Sequence, residues 1–217
     1  MDYIRDTSLV LDLPLYKLDG GKFMSRDAYG HLCTVTEAVW TPQGRTLDGV
    51  NDVIDCGSGA TLYPAQFTLM VWLKMLAVAG AGEYPREVGC FSDAGGADYR
   101  GFGLFTPQNV STVWGEVGLT TAGLTQIQLG SPAIGDWHQY TLTYDELVLR
   151  RYYDSVKGDD AAFVDTVKYP SATNFRLGEN FSGHYINSEI GEVLLYNRNF
   201  NPLEVQHNYQ ATKWRYK

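Results

Sequence analysis

The feature that most constrains the fold is a succession of short apolar runs, each closed by a cluster of turn-forming residues. The runs are rich in Val, Leu, Thr and Tyr, which favour β-strands. Segments dense in Gly, Asp, Asn and Pro, such as PQGRTLDGVND, separate them and supply turns. This spacing predicts an all-β, antiparallel, two-sheet sandwich. The expected strands cover residues 8–16, 32–40, 67–75, 110–117, 124–129, 137–144, 147–153, 161–167, 174–178 and 190–196.

One of these runs, FTLMVWLKM at residues 67–75, carries apolar bulk on both of its faces. Phe67, Leu69 and Val71 alternate with Met70 and Trp72, so neither face is suited to solvent. The pattern predicts a central strand.

A helical pattern is found once, near the C-terminus. Asn201 can cap a helix, Pro202 suits the first helical position, and Glu204 can return a hydrogen bond to the cap. Leu203 and Val205 do not extend into a broad apolar stripe, so we expect one short helix of one to three turns.

Length and charge restrict the classes of partner. Sandwiches of 217 residues often form one unit, and the chain is 44 % hydrophobic, so residues 1–217 are expected to be a single domain. The net charge of −8, with Lys and Arg scattered, lacks the basic surface that binds phosphates. Neither nucleic acid nor an anionic membrane is an expected partner.

The first residues, MDYIRDTSLVLDLPLY, do not have the apolar stretch of a secretory signal. No run approaches the roughly 18 apolar residues of a membrane-spanning helix. We therefore expect a chain without a signal peptide, made in the cytoplasm and, where it reaches the outside, displayed on a virion or particle surface.

Six segments occur in an order that resembles a known family: LVLDLPLY, SRDAYGHLCTVTEAVW, TLDGVND, FTLMVWLK, DWHQYTLTYD and SEIGEVLLYNRNFNPLEVQHNY. Together, over residues 8–209, they resemble the laminin-G-like branch of the concanavalin A-like lectin/glucanase superfamily. The resemblance implies a jelly roll of two packed sheets, with GEVLLYN as the last strand and NPLEVQHNY as the helix after it.

The glucanases of this superfamily carry acidic residues in an E-x-D-x-x-E pattern on one strand. Glycoside hydrolysis needs two carboxyl groups roughly 5 to 9.5 Å apart. The sequence has no such strand and no G-x-S-x-G nucleophile motif. We therefore expect no catalytic residues and a chain that is not an enzyme. The nearest acidic groupings lie at turns or at the wrong parity: Asp145 with Glu146, Asp159 with Asp160, and Glu189 with Glu192.

The resemblance also implies a calcium site, because many relatives hold Ca²⁺ between the two chain ends. A hard cation needs several oxygen ligands, and Asp27, Asp52 and Glu192 are the candidates. Gly191 stands where the last-strand aspartate is expected, and Tyr16 where an early acidic residue is expected. No cofactor is therefore the primary expectation, with a weakened calcium site as the alternative.

Sugar binding needs an aromatic ring beside polar groups that meet the hydroxyls. The loop SDAGGADYRGFG and two further aromatic residues offer this combination. The candidate ligand-binding residues are Asp93, Asp98, Tyr99, Arg100, Trp114 and Tyr185.

Two functions follow. The first is a non-catalytic recognition or adhesion module, lectin-like, that binds a glycan or a protein through its loops or concave face. The alternative is a structural assembly protein, such as a phage or virus-like particle decoration or tail component. A homo-oligomer or larger assembly is the expected state for the second.

Overall fold

The computed structural model describes residues 2–93, 98–171, 173–179 and 183–217. Within these ranges it contains 17 strands, one α-helix (α1, Pro202–Thr212) and two 3-10 helices (Ala60–Leu62 and Lys213–Arg215). The first nine strands are β1 Leu9–Pro14, β2 Lys22–Met24, β3 Leu32–Thr36, β4 Val39–Trp40, β5 Arg45–Asp48, β6 Val53–Asp55, β7 Phe67–Met75, β8 Arg86–Gly89 and β9 Ser92–Asp93. The others are β10 Tyr99–Phe105, β11 Val113–Leu119, β12 Gly123–Gly130, β13 Trp137–Tyr144, β14 Val148–Tyr153, β15 Val156–Ala162, β16 Arg176–Leu177 and β17 Asn187–Tyr196.

The strands form two antiparallel sheets. Sheet A has the order β15-β14-β13-β7-β17-β5-β4, and β1 pairs with the second half of β17. Sheet B has the order β12-β11-β10-β8-β16-β6-β3-β2, and β9 forms a hairpin with β10. The two-sheet sandwich with one short C-terminal helix confirms the predicted fold class.

The core lies between the two sheets. Phe67 of sheet A stacks on Phe102 of sheet B with ring centroids 4.1 Å apart, and both side chains are fully buried. Phe67, Leu69 and Val71 enter this core from β7, which lies between β13 and β17. The prediction of a central strand at residues 67–75 is confirmed.

Helix α1 covers the outer face of sheet A. Asn201 accepts hydrogen bonds from the backbone amides of Leu203 and Glu204, and the Glu204 side chain accepts one from the Asn201 amide, so the predicted capping box is present. The indole nitrogen of Trp72 donates to the Thr212 hydroxyl at 2.8 Å. The second apolar face of β7 is thus buried by the helix. No helix in the described ranges has both the length and the apolarity needed to cross a bilayer.

The sequence pattern placed one strand wrongly and missed others. The strand predicted at residues 161–167 is found at Val156–Ala162, at the edge of sheet A. Its charged residues Lys157, Asp159 and Asp160 interrupt the alternation of apolar and polar residues that indicates a strand. Charged side chains on an edge strand hinder pairing with other chains, and for this reason edge strands often do not show the apolar pattern of central strands. Strand β10 was missed because its glycines, Gly101 and Gly103, resemble turn residues, and β8 was missed because only four residues form it.

Candidate functional site

A cleft of about 510 Å³ lies on the outer face of sheet B. Side chains alternate along β11, so Val117 enters the core while Trp114 and Glu116 face the cleft. Phe105 of β10 lies beside Trp114 with ring centroids 6.5 Å apart, and Gln126 of β12 is the register partner of Glu116. Three adjacent strands thereby combine aromatic and polar side chains on one surface.

A buried ion pair lies against this surface. Arg86 donates from Nε and Nη2 to the two carboxylate oxygens of Glu116, the second bond measuring 3.1 Å. The Glu116 side chain has no solvent exposure, and that of Arg86 is 12 % exposed. Burial raises the pKa of Glu116, while Arg86 and a hydrogen bond from Gln126 act against that rise. The guanidinium also stacks over the Phe91 ring at 4.4 Å. The arginine is therefore fixed by several contacts.

Two loop segments bring Tyr84 and His184 to the cleft. The backbone amide of Tyr84 donates to Nδ1 of His184 at 3.1 Å, and the Gln108 side-chain amide donates to the Tyr84 hydroxyl at 2.8 Å. Tyr84 is held at both ends and stays 41 % exposed.

The β9–β10 hairpin supplies the remaining polar and aromatic groups. Asp93 and Tyr99 are register partners in this hairpin and both line the cleft. Gly101 has a φ of +83°, and a Cβ added there would lie 2.1 Å from the carbonyl oxygen of Cys90. Only glycine fits where the chain folds back so tightly, so the local backbone positions the hairpin.

Of the residues predicted to bind a ligand, the structure brings Asp93, Tyr99 and Trp114 together in the cleft. Tyr185 lies apart from them, beside a smaller cavity of about 150 Å³, with its hydroxyl 3.5 Å from Glu179 Oε1.

Asp98 and Arg100 are engaged with each other. Arg100 Nε donates to Asp98 Oδ2 at 3.2 Å, and Lys168 also donates to the Asp98 carboxylate. These two cations lower the pKa of Asp98. The pair fixes the base of the hairpin and does not line the cleft.

Sequence reasoning missed Arg86 and Glu116. The two residues are far apart in the chain and meet only because β8, β10 and β11 are neighbours in sheet B. The alternation in VWGEVGL, which places Trp114 and Glu116 on the face opposite Val117, was the available signal.

Comparison with known proteins agrees with this architecture. Trypanosoma rangeli sialidase in complex with sialic acid matches with a TM-score of 0.71 and 17 % identity, over 96 % of this chain and 33 % of that one. A mutant of the same sialidase displaying trans-sialidase activity matches with a TM-score of 0.68 and 19 % identity, over 97 % and 34 %. The botulinum neurotoxin serotype G binding domain matches with a TM-score of 0.71 and 14 % identity, over 93 % and 50 %.

At these identities the likeness concerns the fold, and this chain spans about a third of the sialidase chains. No curated protein matches the sequence. A laminin G family model described as "Concanavalin A-like lectin/glucanases superfamily" matches residues 48–206, well over half of the chain. The chain belongs to the concanavalin A-like lectin/glucanases superfamily.

One expectation from the sequence is wrong. The chain was expected not to be an enzyme because it lacks the E-x-D-x-x-E strand, but the superfamily fold is shared here with sialidases, which are enzymes. The criterion was also too narrow physically, since carboxyl groups from separate strands can meet in space. Asp93 of β9 and Glu116 of β11 both line the cleft.

The residues considered for the superfamily's calcium site serve local contacts. The Asp27 carboxylate accepts the backbone amides of Asp12 at 3.1 Å and Gly30 at 3.1 Å, and Asp52 accepts that of Asp48 at 2.9 Å. Among the described residues, no three or more His, Cys, Asp or Glu side chains are grouped to hold a metal ion. Calcium binding stays a prediction.

Glu192, the third calcium candidate, is buried beneath the C-terminal residues. Burial raises its pKa to about 7, and Arg215 Nη1 lies 3.5 Å from its Oε1. A Cβ at Gly191 would lie 2.3 Å from the Tyr216 ring. The glycine that replaces the expected aspartate therefore makes room for an aromatic side chain, and an arginine supplies positive charge to Glu192.

Proposed function

We propose that this chain is a carbohydrate-recognition unit whose ligand lies in the cleft on sheet B. The observation that carries the proposal is the convergence of Tyr84, Tyr99 and Trp114 with hydrogen-bonding side chains in one cavity of about 510 Å³. This volume lies in the range of small-ligand sites, which is roughly 300 to 1,000 Å³.

The chemistry of the lining suits a sugar. Aromatic faces cover the C–H surface of a pyranose ring, and amide, carboxylate and imidazole groups meet its hydroxyls. Trp114 is partly exposed and Gln126 is exposed on the same face. A ring and a hydrogen-bonding amide are thus presented side by side on rigid strands.

The superfamily, whose description names lectins and glucanases, supports carbohydrate as the class of ligand, and the matched structures support the fold. One matched structure is a sialidase in complex with sialic acid, and another is a neurotoxin binding domain. Their fold is the fold of this chain, and the cleft is the feature through which we extend glycan recognition to it.

A glycan array followed by calorimetric titration tests the proposal. Trp114→Ala should weaken binding of the best array ligand by about tenfold or more, because a central aromatic contact commonly contributes over ~1 kcal/mol. The matched control is Trp214→Ala, which removes a tryptophan that is 66 % exposed and lies outside the cleft. Retained affinity in Trp114→Ala, or an equal loss in both variants, would refute the assignment.

A second candidate function, assembly of several copies of the chain, is favoured by the exposed edge of sheet B. Met24 and Leu32 are register partners on β2 and β3 and are 53 % and 55 % exposed. Adjacent exposed apolar side chains on edge strands promote association. Sedimentation equilibrium of the parent chain and of Leu32→Lys tests it: a multiple of 24.2 kDa that falls to the monomer mass supports assembly. A monomer at all concentrations excludes it.

A further inference from the structure

The charge balance of the cleft on sheet B selects among carbohydrates. Among the described residues that line it, Arg86 is the only lysine or arginine, while Asp93 and Glu116 are both acidic. Segments 94–97 and 180–182 lie outside the described residues, and their sequences, AGGA and NFS, contain no charged residue.

Arg86 is committed to a partner within the protein. Both of its bonds to Glu116 join charged groups, and such paired, charge-assisted bonds are the strongest that these side chains make. Glu116 is fully buried. A carboxylated ligand that recruited Arg86 would leave the Glu116 carboxylate buried without its cation, which is costly.

Asp93, the other acidic side chain of the cleft, is more exposed than Glu116. Asp93 is partly exposed at the cleft and comes from the hairpin that also supplies Tyr99. A carboxylate on the ligand would therefore meet a like charge, inside a chain whose net charge is −8. Like charges brought together at an interface suppress binding.

We propose that the cleft recognises uncharged glycans and discriminates against glycans bearing a carboxylate, such as sialylated or uronic-acid sugars. This inference rests on the proposed carbohydrate-binding function. Selectivity arises because Glu116 neutralises the single arginine and Asp93 repels an anion, while Trp114 and Gln126 meet the ring and hydroxyls of a neutral sugar.

The test is an array of neutral oligosaccharides, each paired with its sialylated or uronic-acid counterpart, followed by calorimetry on the best pair. The neutral member should bind at least about tenfold tighter, the discrimination expected of one close charge at intermediate dielectric. Asp93→Asn and Glu116→Gln should each narrow this ratio by strengthening binding of the acidic member about three- to tenfold. Asp93→Asn changes a partly exposed side chain, so the test does not depend on the folding of the buried-site variant.

Glu37→Gln is the matched control, since it removes the same charge from an exposed residue in the connection between β3 of sheet B and β4 of sheet A, and β3 lies several strands from β11. It should leave the ratio unchanged. Equal or tighter binding of acidic glycans by the parent chain would overturn this inference while the proposed function stands. A preference for neutral glycans that neither cleft variant changes would overturn the electrostatic explanation of the selectivity. Absence of binding to every glycan would overturn the proposed function and this inference together.

Discussion

Gly191→Ala should destabilise the fold by a mechanism that a double-mutant cycle can isolate. The added Cβ would lie 2.3 Å from Cε1 and 2.6 Å from the hydroxyl oxygen of Tyr216. The Tyr216 ring is only 6 % exposed and stacks on Trp72 with centroids 4.4 Å apart, and it also contacts Trp137 at 4.8 Å. It has little room to move, because it is packed against aromatic rings and against the strand that bears the new methyl group.

Overpacking of this kind typically costs about 1–3 kcal/mol, so we expect a loss of about 2 kcal/mol in the free energy of unfolding. For a chain of this size that loss corresponds to a fall in Tm of roughly 4–8 °C. In the Tyr216→Ala background the clash is absent, and Gly191→Ala should then be neutral within about 0.5 kcal/mol.

Urea denaturation of the four proteins in the cycle measures these values. Gly20→Ala is the matched control, because a Cβ there meets nothing within 4 Å. An equal cost for Gly191→Ala with and without the Tyr216 ring would refute the packing argument.

Three further outcomes are expected. Asn201→Ala removes the acceptor that caps α1 and should lower the free energy of unfolding by about 1 kcal/mol in urea denaturation, and no change would show that the cap is dispensable. Glu87→Gln should change the pH dependence of stability, because burial raises the pKa of Glu87 from 4.5 to about 8. The folded chain favours the protonated carboxyl group, so Glu87 contributes fully to the free energy of unfolding below about pH 4.5, and this contribution is lost as pH rises through about 8. Between pH 5 and pH 9, the free energy of unfolding of the variant should therefore rise by about 4 kcal/mol relative to that of the parent. A pH-independent difference would contradict this. Gly101→Ala should lower the free energy of unfolding by at least about 2 kcal/mol and weaken glycan binding, because the new Cβ would clash with the Cys90 carbonyl oxygen and shift the hairpin. Unchanged stability and affinity would refute the role of Gly101 in positioning the hairpin.

The elements recovered from the sequence are those whose local pattern and tertiary environment agree. Strands β7 and β13 are found at the predicted residues 67–75 and 137–144, because both are central strands rich in aromatic, β-branched and aliphatic residues, which favour β-structure. Helix α1 is found where Asn201, Pro202 and Glu204 predict it, since a capping box is encoded in adjacent residues.

Elements whose form is imposed by distant contacts escaped prediction. Strand β10 contains Gly101 and Gly103, which resemble turn residues but are required by the close approach of Cys90 and Val88. The residues of the cleft also divide into those that local sequence indicates and those that distant contacts bring together. Trp114 could be selected as an exposed aromatic residue, whereas the pairing of Arg86 with Glu116 depends on sheet order.

The indole N–H resonances of the five tryptophans offer the most direct test of carbohydrate binding in the cleft. In a ¹H–¹⁵N spectrum titrated with the best neutral oligosaccharide, the Trp114 signal should shift and saturate with the ligand. The chemical shift of the Trp72 indole, whose N–H donates to Thr212 of helix α1 on the outer face of sheet A, should not change. A Trp114 resonance that does not move while another indole responds would contradict the account.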